Sequence, residues 1–361
     1  MQERKALARA RRIIVKVGSQ SLADNAGLIQ AMADEIAALS PRSFVLVSSG
    51  AIALGWKRLG YKRRPRETPE LQASAAAGQS ILMHHYEQAF ARHGKCVAQV
   101  LLTHSDLSNR GSLNNARHAL GALLDAGAIP IINENDTVAT DEIHDRFGDN
   151  DQLASMIVPM VAADALILLT NVAGVLDAAG ERISSLALDD TVLERRTVSG
   201  SQGTGGIQSK INAARKACRS GARAVIAPSY EPRVLERVLS GEDVGTLFEP
   251  TGNALRARKH WIAYTLRPRG TLVIDEGAVE AIKSAKKSLL AIGVLGVRGQ
   301  FSPGDSVRLV APDGSEVARG LTRLGAPEAA RAAGRRDRPP SSSEDAESPP
   351  LVVHKDDLVL L

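Results

Sequence analysis

Two lysines and two polar clusters are the residues of this chain that could do chemistry. Lys16 lies inside the β-branched run Ile13-Ile14-Val15-Lys16-Val17, which is followed by Gly18-Ser19. A cation pointing into the core from such a strand is costly, so Lys16 is expected to emerge at the strand end, toward an anion such as phosphate. A water-facing lysine on an edge strand fits a single Lys equally well. Lys210 closes Gly203-Thr204-Gly205-Gly206-Ile207-Gln208-Ser209-Lys210, which runs into a helix over 211–220. Glycines permit unusual backbone angles, and free N–H groups at a helix start can hold phosphate oxygens. A lysine in the first helical turn is disfavoured by the dipole unless an anion binds there. The spacing is neither a P-loop nor the dinucleotide fingerprint.

Between the lysines, residues 129–153 read IPIINENDTVATDEIHDRFGDNDQL. Ile129-Pro130-Ile131-Ile132 is the kind of apolar run that makes a buried strand. Asn133, Glu134, Asn135 and Asp136 follow, and then Gly148-Asp149-Asn150-Asp151 leads into an apolar helix over 153–161, with Asp149 or Asn150 as N-cap. Carboxamides and carboxylates in two short clusters suit a ligand bearing both an ammonium and a carboxylate: Asp holds the cation and Asn donates to the anion. An acidic surface loop would also present these residue types. Ser48-Ser49-Gly50-Ala51-Ile52 follows a strand over 43–47, and its small side chains allow a ligand close to the backbone. A tight strand–helix turn has the same composition.

The elements that must position these residues alternate. Strands are expected over 13–17, 43–47, 97–102, 129–132, 165–169 and 224–226. Helices are expected over 31–39, 71–93, 110–125, 153–161, 211–220 and 234–239, with Gly78 as a packing contact inside the second. This alternation implies an α/β fold with one doubly wound, largely parallel sheet. The strand over 165–169 ends in the polar pair Thr170-Asn171. Short apolar segments separated by turns follow, over 271–274, 289–297, 306–310, 316–319, 351–354 and 358–361, and they indicate a small, mainly β second domain. The expected organisation is a catalytic domain over 1–258, a linker over 259–269 and a second domain over 270–361. That second domain contains a low-complexity segment over 334–350, expected to be disordered.

Bulk properties narrow the class. The 361 residues are enough for two domains and a sizeable core. Aromatics make up only 3%, which speaks against a nucleic-acid stacking surface. A net charge of +5, from 45 basic and 40 acidic residues, permits anionic small molecules. Cys96 and Cys218 lie far apart in apolar or helical surroundings, and are expected to be reduced structural thiols. His84, His85 and His93 show no metal spacing, so no metal site is expected in the protein itself. No apolar run reaches membrane-spanning length. The basic start MQERKALARARR is no secretory signal, and is expected to be a solvated leading turn.

Six motifs stand in one order: VKVGSQS at 15–21, SSGAIALG at 48–55, AAAGQS at 75–80, INENDTVA at 132–139, GDND at 148–151 and GTGGIQSK at 203–210. Together they resemble the glutamate 5-kinases of the amino acid kinase family, over essentially the whole chain. The C-terminal part, with DEGAVEAI at 275–282, FSPGD at 301–305 and VHKDDLV at 353–359, is similar to a PUA domain. The resemblance implies the amino acid kinase fold and ATP-dependent phosphorylation of the γ-carboxylate of L-glutamate to L-glutamyl 5-phosphate, the first step of proline biosynthesis. It also implies feedback inhibition by proline, Mg2+ carried by the nucleotide, a homo-oligomer in the cytoplasm and hand-over of product to glutamyl phosphate reductase. Carried over residue by residue, Lys16 and Lys210 neutralise phosphate and Asp151 orients them. Ser49, Gly50, Asp136 and Asn150 hold glutamate. Thr170, Asn171, Thr204, Gly205, Gly206, Ile207, Gln208 and Ser209, with the two lysines, meet the nucleotide. The chain departs from the family at Asn171, where Asp is usual, over 175–180, where a Tyr-containing segment is usual, and over 320–350.

The chemistry is consistent with these residue types. A glutamate side chain ordinarily titrates at about pH 4.3, so its carboxylate is already ionised at neutral pH and needs no general base. Phosphoryl transfer to it needs positive charge and alignment. Two other readings remain open: a kinase of another small acid or of a nucleoside monophosphate in the same fold, and an RNA-binding PUA protein. The block from 133 to 151 argues against the first, and the sparse aromatics against the second.

Overall fold

The β-branched runs become neighbouring strands of one eight-stranded sheet, in the order β3-β4-β2-β1-β5-β7-β8-β6. Its strands are β1 (Arg12–Val17), β2 (Ser43–Ser48), β3 (Val97–Leu102), β4 (Ile129–Glu134), β5 (Ala165–Thr170), β6 (Ser185–Leu186), β7 (Arg223–Pro228) and β8 (Thr246–Phe248). The computed structural model describes residues 2–25, 27–139, 150–187, 206–250, 255, 257–284, 287–334 and 349–361. Pairing is parallel except between β7 and β8, as the largely parallel expectation requires. The chain moves outward from β1 through β2, then from β5 through β7 in the opposite direction. The connections therefore diverge between the adjacent strands β1 and β5, and such a switch point opens a crevice at the carboxyl ends of the strands.

Alternation along each strand assigns its side chains to two layers. Ile13, Val15 and Val17 pack in one core cluster with Phe44, Leu46, Ile167 and the helix residues Leu82 and Tyr86. Ile14 packs in the other, with Val45, Val47, Leu166 and Leu168. That second layer also holds Leu153 and Ile157 of the helix Asn150–Val161, and Ile211 and Ala214 of the helix Ile207–Arg219. Lys16 lies two residues after Ile14, so the strand period sends it to the face covered by these two helices.

Helix limits differ from the expected ones by a turn in places. The helix expected from 31 begins at Leu28, and the one expected from 211 begins at Ile207, which puts Lys210 in its first turn. Two short helices, Ser19–Asp24 and His104–Ser108, were not expected. The second starts with a capping box, in which the Asp106 N–H donates to Thr103 Oγ1 at 3.1 Å and the Thr103 N–H donates to Asp106 Oδ2 at 2.8 Å.

Two expectations are corrected. The leading basic segment is not a solvated turn: Leu7 is fully buried, and Arg4 donates to the carbonyls of Glu242, Val244, Ser184 and Gly245 at 2.6–3.0 Å. Arginine's fork of donors satisfies carbonyls that turn away from the β6 and β8 edge. Cys218 is a buried thiol as expected, but Cys96, at the end of a loop entering β3, is exposed.

The chain divides into two compact units, Met1–Ala254 and Leu255–Leu361. The second contains a six-stranded sheet ordered β10-β14-β13-β12-β9-β11. Its strands are β9 (Gly270–Ile274), β10 (Leu289–Leu290), β11 (Val294–Gly299), β12 (Ser306–Val310), β13 (Glu316–Thr322) and β14 (Leu351–Leu360). The segments 351–354 and 358–361, expected as separate strands, form the single strand β14; a register shift opposite Gly320 to Thr322 absorbs the polar residues between them. Helices Glu276–Lys283 and Ala326–Ala332 complete the unit. Within the stretch read as a linker, the residues up to Thr265 are helical, and Ile262 and Ala263 pack with Val359 inside the second unit. The segment expected to be disordered falls, over 335–348, outside the described residues.

The helix Ala51–Arg58 crosses the helix Thr68–Ala91 through two glycines. A Cβ on Gly78 would lie 1.8 Å from the Ala51 carbonyl oxygen, and one on Gly55 would lie 1.8 Å from that of Ser74. Gly78→Ala should therefore destabilise the protein by about 3 kcal/mol, because rigid backbone must move apart. Gly121→Ala, where nothing lies within 4 Å, should be neutral or stabilising by up to about 1 kcal/mol. Denaturant midpoints of the two variants measure the difference.

Candidate active site

At the switch point, the sheet and its two covering helices bring three charges together. Lys16 is the penultimate residue of β1, Asp151 the second residue of the helix Asn150–Val161, and Lys210 the fourth of the helix Ile207–Arg219. Lys16 Nζ lies 2.7 Å from Asp151 Oδ1, and Lys210 Nζ donates to Asp151 Oδ2 at 3.1 Å. All three are buried, Asp151 completely. Burial alone would raise the Asp151 pKa, but the Lys16 and Lys210 ammonium groups outweigh it and hold the carboxyl below its ordinary range. The carboxylate is thus a fixed strut between two cations. Lys210 tolerates the positive end of its own helix because of that strut.

A second cluster, built from amides and hydroxyls, adjoins the first through the sequence neighbours Asn150 and Asp151. Asn150 Nδ2 donates to Ser49 Oγ at 2.9 Å and to Asn133 Oδ1 at 2.8 Å. Asn133 Oδ1 also accepts the Glu134 N–H at 2.9 Å, and Asn133 Nδ2 donates to Gln79 Oε1 at 2.9 Å. Beneath Ser49, the Tyr86 hydroxyl donates to Ser48 Oγ at 2.8 Å. Burial pushes the Tyr86 hydroxyl well above its usual pKa, so it remains a donor. Gly50 has φ +113°, a conformation glycine adopts without strain, and it starts the helix Ala51–Arg58. Asp136 is buried in the turn after β4, whose Val138 and Ala139 N–H groups donate to the Asn135 carbonyl.

The expected nucleotide residues are more scattered. Thr170 is buried at the end of β5, and its carbonyl accepts the Ser229 N–H at 2.6 Å. Asn171 is exposed. Gly206 precedes the helix Ile207–Arg219, Ile207 packs partly on the core and Ser209 is buried. Gln208 is exposed and donates to Asn212 Oδ1 at 3.2 Å. Thr204 and Gly205 lie outside the described residues, as does Asp149. The segment over 175–180 turns tightly: Asp177 Oδ1 accepts the N–H groups of Ala179 and Glu181 at 2.9 and 3.0 Å. Among the described residues no three His, Cys, Asp or Glu side chains group as metal ligands.

The structure thus joins Lys16, Asp151 and Lys210, and separately Ser49 and Asn150. Sequence reasoning did not single out Gln79 or Tyr86, and it named Asn133 and Ser48 only as members of their polar segments. Gln79 occupies the buried stripe of its helix at Ala75, Gly78, Gln79 and Leu82, and a polar residue at such a spacing is the one signal that could have marked it.

Residues 11–228 match the amino acid kinase family, and residues 270–338 match the PUA domain. The chain is 46% identical to a glutamate 5-kinase of Myxococcus xanthus, covering 99% of this chain and 98% of that protein. It is equally identical, at 46%, to one from Thioalkalivibrio sulfidiphilus over 100% of both. A glutamate 5-kinase of Nitrosococcus oceani is 44% identical over 98% of each chain. No helix among the described residues is long and apolar enough to cross a membrane.

Asp151→Asn leaves two ammonium groups beside a neutral amide. It should cost about 3–5 kcal/mol, as removal of one partner from a buried ion cluster does. The pH dependence follows from the depressed carboxyl: its contribution is complete above the unfolded carboxylate range, near pH 4, and is lost as pH falls through the lower folded value. Acid titration of stability should therefore be steeper for the wild type than for Asp151→Asn, and equal slopes would contradict the strut.

Proposed function

The chain belongs to the amino acid kinase family, and we propose that it phosphorylates the γ-carboxylate of L-glutamate with ATP, giving L-glutamyl 5-phosphate and ADP. The observation that carries this reading is the Lys16–Asp151–Lys210 cluster set directly beside the Ser49–Asn150 cluster. A γ-carboxylate oxygen of glutamate forms a bond to the γ-phosphorus of ATP, and the bond from that phosphorus to the β–γ bridging oxygen breaks. No proton moves, because the nucleophile is already an anion. Charge spreads over the equatorial oxygens of the transferred group, and Lys16 and Lys210 meet it from opposite sides of Asp151.

In this proposal Ser49, Gly50, Asp136 and Asn150 hold the amino acid, with Asp136 on the ammonium. Thr170, Asn171 and 204–209, together with the two lysines, meet the nucleotide. Magnesium enters on the phosphates of ATP. Asp151 has both oxygens turned to ammonium groups, so it does not suit a resident ion. Proline carries an ammonium and a carboxylate like glutamate, and we assign its feedback inhibition to the same pocket. A cytoplasmic homo-oligomer that passes its labile acyl phosphate to glutamyl phosphate reductase completes the reading.

Two measurements test it. ADP release with glutamate, aspartate and acetylglutamate side by side should show turnover with glutamate alone. Lys210→Ala should lower kcat about a hundredfold or more with a small change in the glutamate KM, because its contact strengthens in the transition state. A kcat within a fewfold of wild type would reduce Lys210 to a structural partner of Asp151.

We assign phosphoryl transfer to the first unit alone and an accessory role to the PUA-like second unit. A chain ending at Ala254 should unfold cooperatively and release ADP with glutamate. A folded but inactive truncation would place an essential part of the site or of the assembly in the second unit.

A further inference from the structure

We propose that Gln79 is a further substrate-binding residue, whose side-chain N–H group donates to the α-carboxylate of the amino-acid substrate. The proposal rests on the reading of Ser49, Asp136 and Asn150 as the amino-acid pocket.

A carboxamide can present either end to a partner, and its orientation has to be set by neighbours whose role is fixed. Here one backbone group sets three of them. The Glu134 N–H can only donate, so the atom of Asn133 that it meets at 2.9 Å is the oxygen. The same oxygen faces Asn150 at 2.8 Å, which makes that atom of Asn150 its amide nitrogen. The other end of Asn133 is then Nδ2, and the Gln79 atom 2.9 Å from it must be Oε1. Rotating the Gln79 amide would set two donors against each other.

Two atoms are left over, of opposite character. Gln79 Nε2 is a donor and Asn150 Oδ1 an acceptor; both are buried, and neither has a partner among the described residues. Gln79 and Asn150 are themselves at least nine-tenths buried, at 8% and 3% exposure. Buried polar groups in folded proteins are nearly always paired, so an unpaired donor and acceptor joined through one residue point to a ligand that supplies the complements. An acceptor takes an ammonium and a donor takes a carboxylate, which together describe an α-amino acid.

The layering of the fold decides which carboxylate Gln79 meets. Lys16 and Lys210 stand on the face of the sheet covered by the helices Asn150–Val161 and Ile207–Arg219, and the carboxylate to be phosphorylated must face them. Gln79 belongs to the helix Thr68–Ala91, whose Leu82, Tyr86 and Phe90 pack in the opposite layer. It reaches the pocket from the side away from the lysines, where the α-carboxylate lies when the γ-carboxylate is at the phosphate.

The test uses the full-length protein with Gln79→Met, which keeps the shape and removes the donor together with the acceptor of Asn133 Nδ2, and Gln79→Glu, which keeps an acceptor for Asn133 and replaces the donor by a like charge. Steady-state kinetics with glutamate should show KM raised roughly tenfold for Gln79→Met and roughly a hundredfold for Gln79→Glu, with kcat and the ATP KM within about twofold, as loss of a hydrogen bond to a charged group predicts. The second readout is competition by 4-aminobutyrate, which lacks the α-carboxylate. Its inhibition constant should be unchanged in Gln79→Met, so that the preference for glutamate over this analogue shrinks by the factor lost in KM. An unchanged glutamate KM in Gln79→Met, or equal weakening of glutamate and 4-aminobutyrate, overturns the proposal. So does a general loss in which kcat and the ATP KM move together with the melting temperature. Asn150→Ala, measured in parallel, separates the two levels: if it too leaves the glutamate KM unchanged, the pocket itself is misassigned, whereas a raised KM there confines the failure to Gln79.

Discussion

A fully buried carboxylate shared by two ammonium groups constrains most of what surrounds it. Asp151 can stay ionised at zero exposure only because Lys16 and Lys210 stand at 2.7 and 3.1 Å, and neither lysine could be buried charged without it. The requirement reaches into the backbone. Lys16 must fall on the Ile14 side of β1, the helix bearing Asp151 must begin at the carboxyl ends of the strands, and the helix bearing Lys210 must cover the same face. A shift of β1 by one residue against its neighbours would send Lys16 to the opposite layer and leave Asp151 with one cation. The register of the sheet and the electrostatics of the site are therefore a single condition.

How much of this was legible in the sequence depends on whether the signal was local. The strands and most helices were legible because hydrophobic period and glycine punctuation act over a few residues. Lys16 stood out as a charge in a β-branched run, and Lys210 as a cation after a glycine loop. That Asp151 joins them was carried by the family resemblance, since the pairing spans connections of very different length. Arg4 was misread because most of its partners are the backbone carbonyls of residues 184, 242, 244 and 245, which leave no trace in side-chain types. The antiparallel strand β8 is only three residues long and carries no alternation to read. Gln79 was passed over because it occupies a position where the surrounding period calls for an apolar residue.

The second unit shows the same limit from another side. Its residues 356–357 are acidic and exposed or half-buried, and by local pattern they interrupt a strand. The ladder with β13 continues across them after a shift in register, because the neighbouring strand can absorb an irregularity that the sequence of β14 alone does not reveal. Residues 259–265, within the stretch read as a linker, were misread for a related reason. Their apolar members meet Val359, nearly a hundred residues later, so their packing is invisible until the last strand is placed.

The division of labour inside the first unit follows from the substrate's own charges. A reaction whose nucleophile is already an anion asks the protein for cations at the phosphoryl group and for nothing basic beside them. Further positive charge beside them would compete with those cations for the same anionic group. The neighbouring cluster is built instead from neutral groups, with Gln79, Asn133 and Asn150 aligned by the Glu134 N–H and supported by Ser48, Ser49 and Tyr86. Neutral amides locked in one orientation distinguish donor from acceptor without adding net charge, and they lose little order when a ligand arrives. In the proposed reading, polarity held by hydrogen bonds sets which way round the amino acid enters, while the charge that drives transfer stays concentrated at the two lysines.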